Sequence, residues 1–212
     1  MTQSTASIEV SISLRGPPPT DNGTVKVICI RPALGERTTV SEASFTRADG
    51  LVGDNWHARG SKSTADGASD PNAQIAIISS RVMESVEPDP HRALLAGDQL
   101  HMDLDLSTRN LSPGDRLHIG TAVFEITPKP HTGCAKFQTR FGKEAREYCA
   151  AEPEERRRGI YAKVVQDGTV RCCDVIRVER CSPRRRDTAT LVVIAFGVAT
   201  LFVCLLRYRN RK

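Results

Sequence analysis

Regularly paired cysteines are missing from this sequence. There are seven, an odd number with no repeated spacing, which excludes the disulfide framework of a small secreted domain and points to a reducing compartment. Cys172 and Cys173 are adjacent, so no ordinary structural disulfide joins them, although a metal or redox role stays open. An export or import address is also missing. Residues 1–23 hold no uninterrupted apolar core and a single basic residue, Arg15, so neither a signal peptide nor an Arg-rich presequence is expected. A phosphate-binding stripe is absent too. The formal charge is +5, but Arg184, Arg185, Arg186, Arg207, Arg209, Arg211 and Lys212 all lie near the end. Setting those seven and Asp187 aside leaves 23 basic and 24 acidic residues. That balance argues against nucleic acid as a partner. No lysine motif for pyridoxal phosphate is present, which argues against desulfurase activity in the chain itself.

What is present is enough for one domain: 212 residues, 39% hydrophobic and 26% charged. Residues 1–23 read as a flexible leader because Pro17, Pro18 and Pro19 sustain neither a helix nor a central strand. Within it, Ile8, Val10, Ile12 and Leu14 alternate as in a short edge strand. The domain itself spans 24–180. Strand signals run from Thr24 to Ile30, from Thr38 to Phe45, from Gln74 to Ile78, and through Leu100, Met102, Leu104 and Leu106. Arg116 to Thr127 predicts a further strand or strand pair, on which His118 and Glu125 read as structural. Ser79 is placed to cap a short helix that ends before Pro88. Phe137, Phe141, Ala145 and Tyr148 predict one amphipathic helix over Phe137 to Cys149. Ile160 to Val165, the Asp167-Gly168 turn and Val170 to Val178 read as a closing hairpin. Short strands with one or two helices favour a mostly β (α+β), barrel-like fold over alternating βαβ units.

A basic linker at 181–187 leads to an element of another kind. Thr188 to Leu206 is uncharged over nineteen residues, which at 1.5 Å per residue nearly matches a hydrocarbon core of about 30 Å. Arginines flank it on both sides, and 207–212 form a basic tail. The expectation is one C-terminal transmembrane helix, a tail anchor that leaves the domain in the cytosol and makes the membrane a partner.

The chemistry converges on Cys134. It follows Gly133 between the end of a strand and the start of a helix, with His131 and Lys136 as neighbouring sources of positive charge, a setting that favours thiolate over thiol. A thiolate serves as metal ligand, persulfide carrier or nucleophile. The structural alternative is an inert small hydrophobe.

The sequence also closely resembles the MOSC domain, named after the C-terminal domain of molybdenum-cofactor sulfurase. The resemblance rests on Gly50-Leu51-Val52-Gly53-Asp54-Asn55-Trp56-His57, on Gly97-Asp98-Gln99-Leu100 with Asp103-Leu104-Asp105-Leu106, and on Leu111-Ser112-Pro113-Gly114-Asp115-Arg116-Leu117. It continues through Pro130-His131-Thr132-Gly133-Cys134-Ala135-Lys136-Phe137, Arg140-Phe141-Gly142 and Arg158-Gly159-Ile160-Tyr161-Ala162, covering about Thr24 to Arg180 in the family's motif order. It implies a barrel-like β fold and a cysteine, here Cys134, that handles sulfur or ligates molybdenum in a pterin cofactor. His131, Thr132, Gly133, Lys136, Arg140 and Arg158 are then the expected cofactor contacts beside it, with Asp54 and His57 as further candidates. In relatives such as the mitochondrial amidoxime-reducing component, a domain of this type supports reduction of N-hydroxylated compounds. Those relatives carry an additional N-terminal β-barrel domain that 212 residues do not accommodate, so the expectation carried over is the cofactor site rather than the whole reductase.

Three readings follow. In the first the chain binds molybdenum cofactor and works with a separate electron-donor protein. In the second it is a non-catalytic carrier whose Cys134 takes persulfide sulfur from a cysteine desulfurase. In the third it is an inactive membrane scaffold, which the retained His131-Thr132-Gly133-Cys134 disfavours. Cys172-Cys173-Asp174 departs from the family pattern and would place a second thiol near the site.

Overall fold

The computed structural model of the protein describes residues 4–181. The chain opens with helix α1 (Thr5–Ser13), then β1 (Gly23–Ile30), β2 (Thr38–Val40), β3 (Glu42–Thr46), β4 (Gly50–Leu51) and the short α2 (Trp56–Arg59). β5 (Ile75–Ser79), α3 (Ser80–Val86), α4 (Pro90–Ala93) and β6 (Leu100–Asp103) follow. After them come β7 (Arg116–Ile119), β8 (Ala122–Pro130), α5 (Ala135–Phe141), α6 (Lys143–Ala150), β9 (Ile160–Gln166), β10 (Gly168–Arg171) and β11 (Val175–Glu179).

One sheet runs in the order β11-β7-β8-β9-β5-β6-β1-β2, and β11 also pairs with β1 through Gly23↔Ile176 and Thr24↔Val175. That contact closes all of these strands except β2 into a seven-stranded barrel. Closure removes the exposed edges that an open sheet of this size would present. A small second sheet, β10-β3-β4, packs beside it, and Phe45 of β3 meets Phe124 of β8 edge to face, with ring centroids 5.1 Å apart. The barrel core gathers Val25, Ile28, Ile75, Ile77, Leu100, Met102, Phe124 and Ile176, all fully buried.

β5 is buried along its whole length. Ile75 and Ile77 face the barrel interior, while Ile78 joins a second cluster with Met83, Phe137, Phe141 and Tyr148 under the helices. Burial on both faces explains why the sequence there is a continuous apolar run rather than an alternation. β5 and β6 are parallel, and α3 and α4 make the crossover that such a pair requires.

Several expectations need correction. The fold class included a membrane-spanning helix, yet no helix among the described residues is long and apolar enough to cross a membrane. The run at 188–206, with its basic flanks at 182–187 and 207–212, lies outside the described residues. The fold class is therefore a mostly β, seven-stranded barrel with a few short helices. The leader is not a strand: Thr5–Ser13 is helical, buries Ile8 fully against α3 and α6, and leaves Val10 exposed. The single helix over Phe137–Cys149 is two, broken at Gly142 with φ +94°, a backbone state that glycine adopts most readily. The closing hairpin does not form either. The Asp167-Gly168 corner sends β10 to pair with β3 in the small sheet, while β9 lies between β8 and β5 and β11 pairs with β7.

Gly159, at φ +103°, enters β9 so close to β5 that a Cβ there would sit 2.0 Å from the Ile77 carbonyl oxygen. Gly159→Ala is therefore expected to destabilise the domain by roughly 2–4 kcal/mol. Urea denaturation reads this, and an unchanged midpoint would contradict the β5–β9 packing.

Candidate functional site

The registers Ile28↔Leu100, Ile77↔Leu100, Ile77↔Ile160 and Pro130↔Ile160 bring the ends of β1 and β8 and the starts of β6 and β9 to one level of the sheet, around the middle of β5. The residues just beyond these strand ends are Arg31, His131, Asp98 and Arg158. Two buried ion pairs organise them. Arg158 Nη1 bonds both oxygens of Asp98 at 2.9 and 2.8 Å, and its Nη2 donates to the Ala96 carbonyl at 3.0 Å. Arg31 forms a forked pair with Asp54, Nε to Oδ2 at 2.7 Å and Nη2 to Oδ1 at 2.8 Å, and donates from Nη1 to the Gly97 carbonyl. Asp54 also accepts the backbone N–H groups of Arg31 and Trp56, so its acceptor capacity is spent inside the protein.

Burial by itself would raise the Asp98 carboxyl. The Arg158 guanidinium overcomes that and holds it below the usual carboxylate range. His131 goes the other way. Its ring stacks on Tyr161 with centroids 4.1 Å apart, and burial followed by repulsion from Arg158 pushes it down to about 3, against a pull from Asp98. Its Nδ1 lies 3.6 Å from Asp98 Oδ1, too far for a hydrogen bond, and has no other partner. His131 is thus neutral near pH 7 and does not supply the positive charge expected of it.

A cleft of about 260 Å³ opens beside these strand ends. Cys134 and Lys136 reach it from the start of α5, Arg140 from its last turn, and His131, Thr132 and Arg158 from the strand ends. Cys134 is exposed and is the N-cap of α5; its side chain caps nothing, while its carbonyl accepts the N–H groups of Phe137 and Gln138. Arg31, Arg37, Asn55, Arg59 and Tyr161 complete the polar lining. Sequence reasoning missed those five. Arg31 stands directly after a clear strand, but the long-range folding that brings the three arginines together leaves no local signal.

Among the described residues no aspartate or glutamate lines the cleft. Arg31 and Arg158 are neutralised from behind by Asp54 and Asp98, whereas Arg37, Arg59, Lys136 and Arg140 pair with no carboxylate among the described residues. Burial, then repulsion from Arg31, lowers both Arg37 and Arg59 from the ordinary arginine range. The Nε of Arg37 is buried without a partner. An anion in the cleft would relieve the repulsion and supply the missing acceptor.

The remaining expected site residues lie elsewhere. Asp54 is a bracket for Arg31 rather than part of the cleft lining, and His57 is exposed outside it, near the Ser69 hydroxyl. Gly133 borders a different cavity. Cys172 and Cys173 sit at the corner between β10 and β11, with backbone N–H groups bonded to Ser41 and Val25. Neither thiol lines the cleft, so they do not provide the second sulfur there.

Two outcomes follow from this geometry. Iodoacetamide is expected to modify exposed Cys134 at least about tenfold faster than buried Cys29 and Cys149; equal rates, checked by mass spectrometry on metal-free protein, would contradict the placement. Burial raises the thiols of Cys29 and Cys149, the latter to about 11, which works in the same direction. For His131 the folded value near 3 lies below the ordinary 6.5. The unfolded chain therefore binds the extra proton, and stability is lost as pH falls between those values. Removing that ring, as in His131→Gln, is expected to flatten the dependence by up to about 1.4 kcal/mol per pH unit between about pH 6 and pH 4. Denaturant midpoints across that range read the slope, and an unchanged slope would show that the imidazole protonates in place.

A family model described as the MOSC domain matches residues 66–177, just over half of the chain. No curated protein matches it. Among solved structures, the YuaD protein from Bacillus subtilis superposes with a TM-score of 0.56 at 15% identity, covering 76% of this chain and 97% of that one. A hypothetical protein gives 0.53 at 20% identity, with 76% and 70% covered. YiiM from Escherichia coli gives 0.49 at 19%, with 76% and 72% covered. At such identities YuaD and the hypothetical protein speak for the fold alone. The matched span carries the assignment further: the chain belongs to the MOSC domain family, which is associated in general with molybdenum-cofactor binding and sulfur-related chemistry.

Proposed function

We propose that this protein binds the molybdenum cofactor in the cationic cleft, with Cys134 as the protein's thiolate ligand to the metal. The observation that carries the reading is the coincidence, in one cleft, of a solvent-reachable thiol with four cations that have no carboxylate partner. A pterin cofactor bears a phosphate and a thiophilic metal, and this donor set suits both. Arg37, Arg59, Lys136 and Arg140 are the groups for the phosphate end. Tyr161 and the neutral His131 offer a flat wall. Asp98 and Asp54 hold their arginines in place, so the cleft keeps its shape when empty of charge. When bound, the cofactor would supply two-electron redox chemistry at the metal. The chain's own residues orient it, provide the soft ligand, and keep carboxylates away from its anionic end. Turnover would need a separate electron-donor protein, and reduction of N-hydroxylated compounds is the reaction class that the family resemblance suggests.

A second reading rests on the exposure of Cys134. A persulfide carrier needs a thiol that a partner can reach, and Leu34, 87% exposed, belongs to the same lining as Cys134. In that reading a cysteine desulfurase loads Cys134 and no metal is held.

The two readings separate on protein purified from a host that makes the cofactor. Cys134→Ser is expected to lower molybdenum content or shift the electronic spectrum, because a hydroxyl is a poor substitute for a soft thiolate. Lys136→Ala with Arg37→Ala is expected to reduce retention by at least about tenfold, as two charge-assisted contacts are lost. Stoichiometric, spectrally unchanged cofactor in the serine variant would exclude the ligand role. Wild-type protein free of molybdenum that gains labelled sulfur from a desulfurase would establish the carrier instead.

A further inference from the structure

Behind the wall that carries His131, Thr132 and Arg158 lies a second cavity, of about 250 Å³, which the cofactor reading does not use. The end of α6 and the start of β9 border it, together with the Pro128–Pro130 stretch of β8 and Pro153. The three prolines, Ala150, Ile160 and Cys149 make most of the lining apolar. With its thiol raised to about 11 by burial, Cys149 is an apolar sulfur here rather than a nucleophile.

The charged groups in the lining are all of one sign. Lys129, Arg156 and Arg158 reach it, and among the described residues no aspartate or glutamate does. Lys129 is committed to Asp70, and Arg156 donates to the Leu111 carbonyl at 2.9 Å. Arg158 differs: the residue is 6% exposed, and its Nε is buried with no hydrogen-bond partner. An unpartnered donor in that position is costly unless an acceptor arrives.

Size and lining define what fits. A dry cavity of about 150 Å³ holds benzene, so this one has room for a single ring with a small substituent. Flat proline faces and Ile160 suit a planar apolar body, and Arg156, which pairs with no carboxylate among the described residues, suits a negatively charged acceptor together with the unpartnered Arg158 Nε. We infer that this cavity is a binding site for a small planar carboxylic acid, its ring among Pro128, Pro153 and Ile160 and its carboxylate toward Arg158.

Benzoate is the probe. Titrated into the full-length protein and followed by amide NMR, it is expected to bind saturably at one site, with the shifts centred on Cys149, Ala150 and Ile160. Benzyl alcohol, its neutral counterpart, is expected to bind at least about tenfold more weakly, since it lacks the charge-assisted contact. Ala150→Leu, a change at an exposed end of α6, should fill the mouth and abolish binding, whereas Cys134→Ser should leave it intact. That contrast keeps this test separate from the cofactor reading. No saturable binding to wild type would overturn the inference, as would equal affinity for benzyl alcohol. Shifts confined to Arg37 and Lys136, removed by inorganic phosphate, would overturn it by placing benzoate in the outer cleft. Should Ala150→Leu fail to fold, the wild-type shift map and the comparison with benzyl alcohol still decide.

Discussion

The buried pair of Asp98 and Arg158 is the interaction on which the rest of the cleft depends. Asp98 is fully buried, and placing a carboxylate there is tolerable only because a guanidinium meets both its oxygens. That guanidinium also bonds the Ala96 carbonyl and lies over the Phe137 ring at 4.8 Å. Phe137 belongs to α5, the helix that Cys134 begins. One pair thus ties the entry to β6, the entry to β9 and the cysteine's helix to each other. Removing either partner would leave an uncompensated buried charge at the point where all three meet.

The Arg31–Asp54 fork repeats the arrangement next to it, anchoring the end of β1 to the turn before α2 and to the Gly97 carbonyl beside Asp98. Between the two pairs the chain separates its charges by depth. Carboxylates lie behind the wall and cancel the arginines next to them, while the cations nearer the opening are left without partners. A surface selected only for stability would intersperse both signs. This one keeps a single sign facing a thiol, a pattern that makes sense for an anionic, thiophilic guest.

Much of the fold was legible because its signals are local. Strand alternation located nearly every barrel strand, and Leu100, Met102, Leu104 and Leu106 are all buried as their spacing required. The N-terminal segment shows how a correct observation misleads. Ile8, Val10, Ile12 and Leu14 satisfy a period of two, but Ile8 and Ile12 also satisfy the i,i+4 spacing of a helix, and it is that pair which packs inward while Val10 and Leu14 face solvent. The split at Gly142 and the path of β10 depend on tertiary partners that no window of sequence contains. For the site, the run from His131 to Lys136 was readable because one loop carries it. Arg37 and Arg59 were not, since they reach the cleft from loops distant in sequence. His131 was read with the wrong charge because its burial is a property of the fold, not of its neighbours in the chain.

The central claim is that the buried pair exists to hold the cationic cleft in shape rather than to stabilise the barrel. A double-mutant cycle with Asp98→Leu and Arg158→Met, read by urea denaturation and by titration with inorganic pyrophosphate, tests it most directly. Each single change should cost about 3–5 kcal/mol by stranding a buried charge, and the double change should recover most of that stability. The recovered protein should nevertheless bind pyrophosphate far more weakly than wild type. A double variant as stable as wild type that binds pyrophosphate equally well would contradict the account.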